Sequence, residues 1–227
     1  MSLNKEQLSA IQAFVNKKGI HYLDVQMEIL DHVASAVEEK MSANAALSFE
    51  EALKQTHVSF GIFGFGGVED SIVNAMNKKY NRIFWKTFGS FFNYKCILLV
   101  GLTIFLLYQL QVLVDDYYQF LAYFLGFVVL VVVSSYIIGL RNKQYKNLLV
   151  YKSTFSYFSF FGSGFLIFNY LIGNIKYFEI IEPQQILILS SVMLVLFIIY
   201  IIAAIKMALL GFKESKLLMD KYHLLNK

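Results

Sequence analysis

Cys-Ile-Leu-Leu-Val-Gly-Leu-Thr-Ile-Phe-Leu-Leu-Tyr-Gln-Leu-Gln-Val-Leu-Val, residues 96–114, carries no charged side chain. As a helix rising about 1.5 Å per residue it reaches across a hydrocarbon layer of roughly 30 Å. It is the first such run in the chain, so everything before it belongs on one side of a membrane. Three later runs share its character: Phe120–Leu140, Phe155–Ile172 and Ile186–Ile205. The expected fold class is all-α, a four-helix transmembrane bundle with a small N-terminal cytoplasmic helical domain.

Composition agrees with that reading. Of the 227 residues 57% are hydrophobic and 16% charged, where a soluble domain carries about a quarter charged. The one cysteine, Cys96, excludes an internal disulfide and a cysteine-based zinc cluster. The polar start, Met-Ser-Leu-Asn-Lys-Glu-Gln, lacks the apolar centre of a signal peptide, so the head is expected to stay where it is made. Basic residues fall on alternate sides of the four runs. Asp115-Asp116-Tyr117-Tyr118 has none, whereas the next connection holds Arg141, Lys143, Lys146 and Lys152. In the third, Lys176 stands against Glu179 and Glu182, and Lys206, Lys213, Lys216, Lys221 and Lys227 follow the last run. The positive-inside rule then places both termini in the cytoplasm.

The chain divides by composition into a cytoplasmic helical domain with a basic juxtamembrane helix (1–90), a four-span domain (91–210) and a cytoplasmic tail (211–227). Asn4 with Gln7 predicts a capping box, followed by Leu8, Ile11, Phe14 and Val15 at helical spacing. A second helix, Tyr22–Met41, puts Tyr22, Val25, Ile29, Val33, Ala36 and Val37 on one face and Asp24, Glu28, Asp31, Ser35, Glu38 and Glu39 on the other. Ser48 with Glu51 predicts a third helix. The glycine-rich segment 60–67 reads as a tight apolar turn before a helix opening at Val68-Glu69-Asp70. Charge is sorted along this head. Residues 24–70 hold nine acidic and two basic side chains, whereas 78–95 hold five basic and none acidic.

None of the four runs contains Asp, Glu, Lys, Arg or His. Such groups cost roughly 3 kcal/mol or more at a bilayer centre and are kept for function, so a proton-coupled carrier, a pump and an intramembrane protease are disfavoured. Thr103, Gln109, Gln111, Ser134, Ser135, Asn169, Ser190 and Ser191 remain, and are expected to bond helix to helix rather than hold a substrate. Ser159, Gly162, Ser163 and Gly164 are candidate helix-packing residues, within the chain or between two copies in a homodimer.

Candidate partner-binding residues are Asp24, Glu28, Asp31, His32, Glu38 and Glu39, a solvated acidic face with a border histidine. A metal or acid–base pair there needs a ligand from a second element, for which His57 alone offers itself. Lys78, Lys79, Arg82, Trp85, Lys86 and Lys95 read as a lipid-binding collar, since a basic, aromatic segment before a span is drawn to anionic lipid. Nucleic acid is not expected as a partner. No catalytic residue, metal or cofactor is expected, because no nucleophile constellation is present.

Tyr22-Leu23, Glu28-Ile29, Asp31-His32, Phe49-Glu50-Glu51-Ala52-Leu53 and Phe60-Gly61 resemble the HAAS-type helical signalling domain. That domain occurs in bacterial membrane proteins often encoded beside PadR-like regulators. The resemblance covers roughly residues 4–80 and implies a bacterial inner-membrane protein with a regulatory or protein-interaction role and no reaction of its own. A small permease or transporter subunit acting as an oligomer is the alternative.

Overall fold

The structure, a computed structural model, describes residues 3–17, 19–60, 65–114, 117–175 and 182–225. Among these, every regular element is helical: α1 (Lys5–Asn16), α2 (Leu23–Ala43), α3 (Phe49–Ser59), α4 (Phe65–Gly89), α5 (Ile97–Leu113), α6 (Tyr117–Arg141), α7 (Leu149–Ile175) and α8 (Pro183–Leu225). Short 3₁₀ turns at Ser90–Phe92 and Lys143–Tyr145 precede α5 and α7. The contacts divide the chain into two compact units. One combines Met1–Lys79, Gln144–Lys152 and Glu214–Lys227; the other combines Tyr80–Lys143 and Ser153–Lys213.

In the first unit local chemistry sets the helix ends. Asn4 Oδ1 accepts from Gln7 N at 2.8 Å and Gln7 Oε1 accepts from Asn4 N at 2.9 Å, so the box at the start of α1 is reciprocal. Gly19, just past α1, takes φ +76°, the left-handed region that costs a glycine little. Ser48 Oγ accepts from Glu51 N at 3.2 Å and opens α3. The core then follows from the 3.6-residue period. Val25, Ile29, Val33 and Val37 of α2 are completely buried among Ile11, Val15 and Ala52. Val68, Ile72, Val73 and Met76 of α4 pack onto this core. Helix α4 begins at Phe65, three residues before the expected start, because Gly66 and Gly67 enter its first turn rather than standing before it. Of the tight turn expected at 60–67, residues 61–64 lie outside the described residues.

In the second unit α8 supplies the centre. Leu194, Val195, Ile199, Ala203, Ala204 and Met207 are buried, with Phe165 and Phe168 of α7, Val128 of α6 and Val100 of α5. The outside is apolar: Leu98, Leu113, Leu130, Phe160 and Leu166 all stand exposed, Leu98 at 82%. A surface of this kind suits hydrocarbon and not water. Two helices, within Ala122–Arg141 and Pro183–His223, are long and apolar enough to cross a membrane. The number becomes three if the bent pair Gly66–Phe92 and Ile97–Leu113, at 77°, counts as one span. Helix α8 continues unbroken to Leu225, past the expected end of the fourth run at Ile205. Nothing between them breaks a helix: there is no proline, and Gly211 is retained for a packing reason given below.

The acidic face of α2 and the carboxylate that anchors it

Four of the six candidate docking residues are exposed on α2 as the period requires, Glu38 is half-buried, and Asp24, the first of the six, has another role. Asp24 is 5% exposed. Its Oδ1 accepts from Leu149 N at 2.9 Å and from Val25 N at 3.1 Å, and its Oδ2 accepts from Val150 N at 2.9 Å. The first amides of α7 have no partner within their own helix, and the preceding residue, Leu148, has no side-chain oxygen to offer them. Asp24, 125 residues away in sequence, caps α7 in its place. The expectation that Asp24 belongs to a solvated acidic face is therefore corrected: the segment 144–152 covers this end of the stripe. Burial pushes the Asp24 carboxyl above its ordinary value, and the Val150, Leu149 and Val25 amides pull it back down.

Further bonds fasten the same corner. Leu23 N donates to Asn147 O at 2.8 Å. Lys152 Nζ donates to Tyr22 Oη at 2.7 Å and lies 5.3 Å from the Tyr22 ring centroid. Leu149 itself sits in the core with Val25 and Ile29. Sequence reasoning placed Lys152 only in a basic connection and missed Leu149 and Val150 entirely. The available hint was local, a helix start without a capping residue at 148.

Glu28, Asp31, His32 and Glu39 are exposed and, with Ser35, fall within a third of a turn on α2. His32 Nε2 lies 3.7 Å from Glu28 Oε1, a surface pair of the kind that adds little stability. Glu38 stands half-buried at the edge, its Oε1 accepting from Leu3 N at 2.9 Å. His57, the second-element candidate, rests edge-on against Phe14 with ring centroids 5.2 Å apart. Among the described residues no three His, Cys, Asp or Glu side chains gather as a metal-binding group.

Of the collar, Lys78, Arg82, Trp85, Lys86 and Lys95 are exposed, whereas Lys79 pairs with Glu214 at 3.3 Å. On the opposite face of α4, Phe84 is buried, stacked on Tyr157 at 4.2 Å and edge-on to Tyr200 at 5.0 Å.

The polar residues of the second unit sort by position. Gln111 Nε2 donates to Ser191 Oγ at 2.6 Å, and Ser190 Oγ donates to Gln111 Oε1 at 2.5 Å, so a buried amide joins α5 to α8. Of the four small residues in α7, Ser159 and Ser163 are exposed. A Cβ at Gly162 would meet Val132 of α6 at 3.5 Å, and one at Gly164 would meet Phe197 of α8 at 3.7 Å, ordinary contacts both. The close approach is elsewhere. A Cβ at Gly211 of α8 would overlap Thr154 Oγ1 and lie 2.8 Å from Thr154 Cβ of α7.

Comparison with models of known protein families, with curated proteins and with solved structures finds no match to this chain.

Proposed function

We propose that this chain is a non-enzymatic, multi-pass protein of a bacterial inner membrane, whose helical head docks a basic surface of a protein partner. The observation that carries the reading is the make-up of the first unit. It joins the N-terminal head, the connection between α6 and α7 and the end of α8. Segments that pack together lie on one side of a bilayer, so an even number of crossings separates each from the next. That parity supports crossings by α5 and α6 as one pair and by α7 and α8 as the other, four in all. The basic connection at 141–152 and the basic tail then make the shared side cytoplasmic.

Within the head, Glu28, Asp31, His32 and Glu39 remain for a partner, since Asp24 is occupied by α7. Electrostatic complementarity of such a face governs encounter rate and choice of partner more than total affinity. The HAAS-type resemblance of Tyr22-Leu23, Glu28-Ile29 and Asp31-His32 fits a docking role within this proposal.

The test is a photocrosslinking residue at Ser35, in the middle of the stripe, used in native membranes. A specific crosslinked protein with a basic surface is expected, lost when Glu28, Asp31 and Glu39 are changed together to lysine while membrane integration persists. Crosslinking unaffected by that reversal would sink the docking proposal.

A further inference from the structure

Arg82, Trp85, Lys86 and Lys95 are all exposed on α4 and the short segment leading into α5. The aromatic side chains between them form a connected ladder: Trp85 to Phe88 at 5.5 Å and Phe88 to Phe92 at 5.6 Å between ring centroids. Lys95 Nζ lies 5.7 Å from the Tyr94 ring, which is 80% exposed. A further cation, which its sequence position did not associate with this collar, comes from α8. Lys206, exposed, holds its Nζ 5.3 Å over the Phe91 ring. The chain bends by 77° between α4 and α5, so if α5 crosses a bilayer, α4 leaves it steeply inclined towards the membrane plane. Tyr80 and Phe84 occupy its inner face, and the basic, tryptophan-bearing face is left outward.

We propose that Arg82, Lys86, Lys95 and Lys206, with Trp85 and Phe91, form a belt that selectively gathers anionic lipid headgroups around the base of α4. Three features commit this surface to lipid. Its cations have no acidic neighbour between residues 78 and 95. It runs within four residues into the apolar helix α5. Its tryptophan and tyrosine combine an apolar ring with a polar edge, the side-chain type that settles at headgroup depth. Each cation near an anionic surface favours it by roughly fivefold in local lipid concentration. Lys79 is outside the belt because Glu214 faces it. The inference rests on the membrane placement of α5–α8 proposed above and is independent of the docking face on α2.

Trp85 is the only tryptophan in the chain, so its fluorescence reports this belt alone. The full-length protein in nanodiscs is compared with either phosphatidylglycerol or phosphatidylcholine carrying the brominated, quenching acyl chains, at equal mole fraction. At least twofold stronger quenching by the brominated anionic lipid is expected. High salt should remove that excess from the unmodified protein, and the combined change Arg82→Gln, Lys86→Gln and Lys206→Gln should remove it without salt. Quenching by brominated phosphatidylcholine should persist in both cases. Equal quenching by the two lipids would overturn the inference while leaving the membrane placement intact. Quenching by aqueous acrylamide but by neither lipid would overturn it too, giving Trp85 to water or to a protein partner. Failure of the chain to assemble into discs would overturn the placement itself.

Discussion

The two units bury polar groups under opposite rules. The first unit keeps one carboxylate inside, where Asp24 is held by three backbone amides. The second unit faces outward with leucine and phenylalanine, and keeps neutral groups inside, where Gln111, Ser190 and Ser191 satisfy one another. In water the alternative to an internal bond is hydration, so a buried charge persists only with its full set of donors. In hydrocarbon no partner waits outside, and the small amide and hydroxyl groups find each other across helices at modest gain. The first unit therefore holds residues 144–152 through a buried carboxylate with its donors, beside the Leu23–Asn147 and Lys152–Tyr22 bonds, whereas the second unit is joined by neutral hydrogen bonds and close fit.

The most severe break should come from Asp24→Ala. It leaves the Leu149 and Val150 amides without their acceptor and costs the head about 3 kcal/mol, read as lost protease resistance of α1–α3. Gly211→Ala should come next, at about 2 kcal/mol, because the added carbon overlaps Thr154. Combining it with Thr154→Ala should recover part of the lost thermal stability in detergent, whereas Gly162→Ala should cost little. Gln111→Leu should cost only about 0.6 kcal/mol, since Ser190 and Ser191 also donate to Leu187 O and remain bonded. Glu39→Lys, on the exposed stripe, should change thermal stability by less than about 0.5 kcal/mol.

A pH series sharpens the comparison further. Burial holds the Asp24 carboxyl above its ordinary value, so the folded head binds this proton more tightly than the unfolded chain does. The group's favourable contribution is then fully present below the ordinary carboxylate value and is lost as pH rises through the raised one. The stability of the unmodified protein relative to Asp24→Asn should increase as pH is lowered from about 7 to about 4. Paired melts of the two proteins at each pH measure it, and a constant difference would contradict the sign.

The starts of α1 and α3 and the buried stripe of α2 were legible in the sequence because each rested on a local signal, whereas the bounds of α4 and α8 were not. The Asn4–Gln7 box and the Val25–Val37 stripe needed no distant partner. The fate of Asp24 was not legible, because a wheel drawn on α2 cannot show that residues 144–152 cover its first turn. The single glycine at 211 is equally mute, since only the neighbouring Thr154 explains why a side chain is excluded there. Ser159, Gly162, Ser163 and Gly164 drew notice for their spacing, yet spacing does not say which way a helix turns its small residues. The exposed acids Glu28, Asp31 and Glu39 were readable for the opposite reason: they stand exposed among the described residues, and the period decides their direction.

The most direct test of the head's attachment is hydrogen exchange at the Leu149 and Val150 amides in the reconstituted protein, with and without Asp24→Ala. The expected result is strong protection in the unmodified chain, lost together with that of α2 when the carboxylate is removed. Protection at 149 and 150 that survives the substitution, or that is absent from the start, would contradict the claim that Asp24 fastens the head to α7.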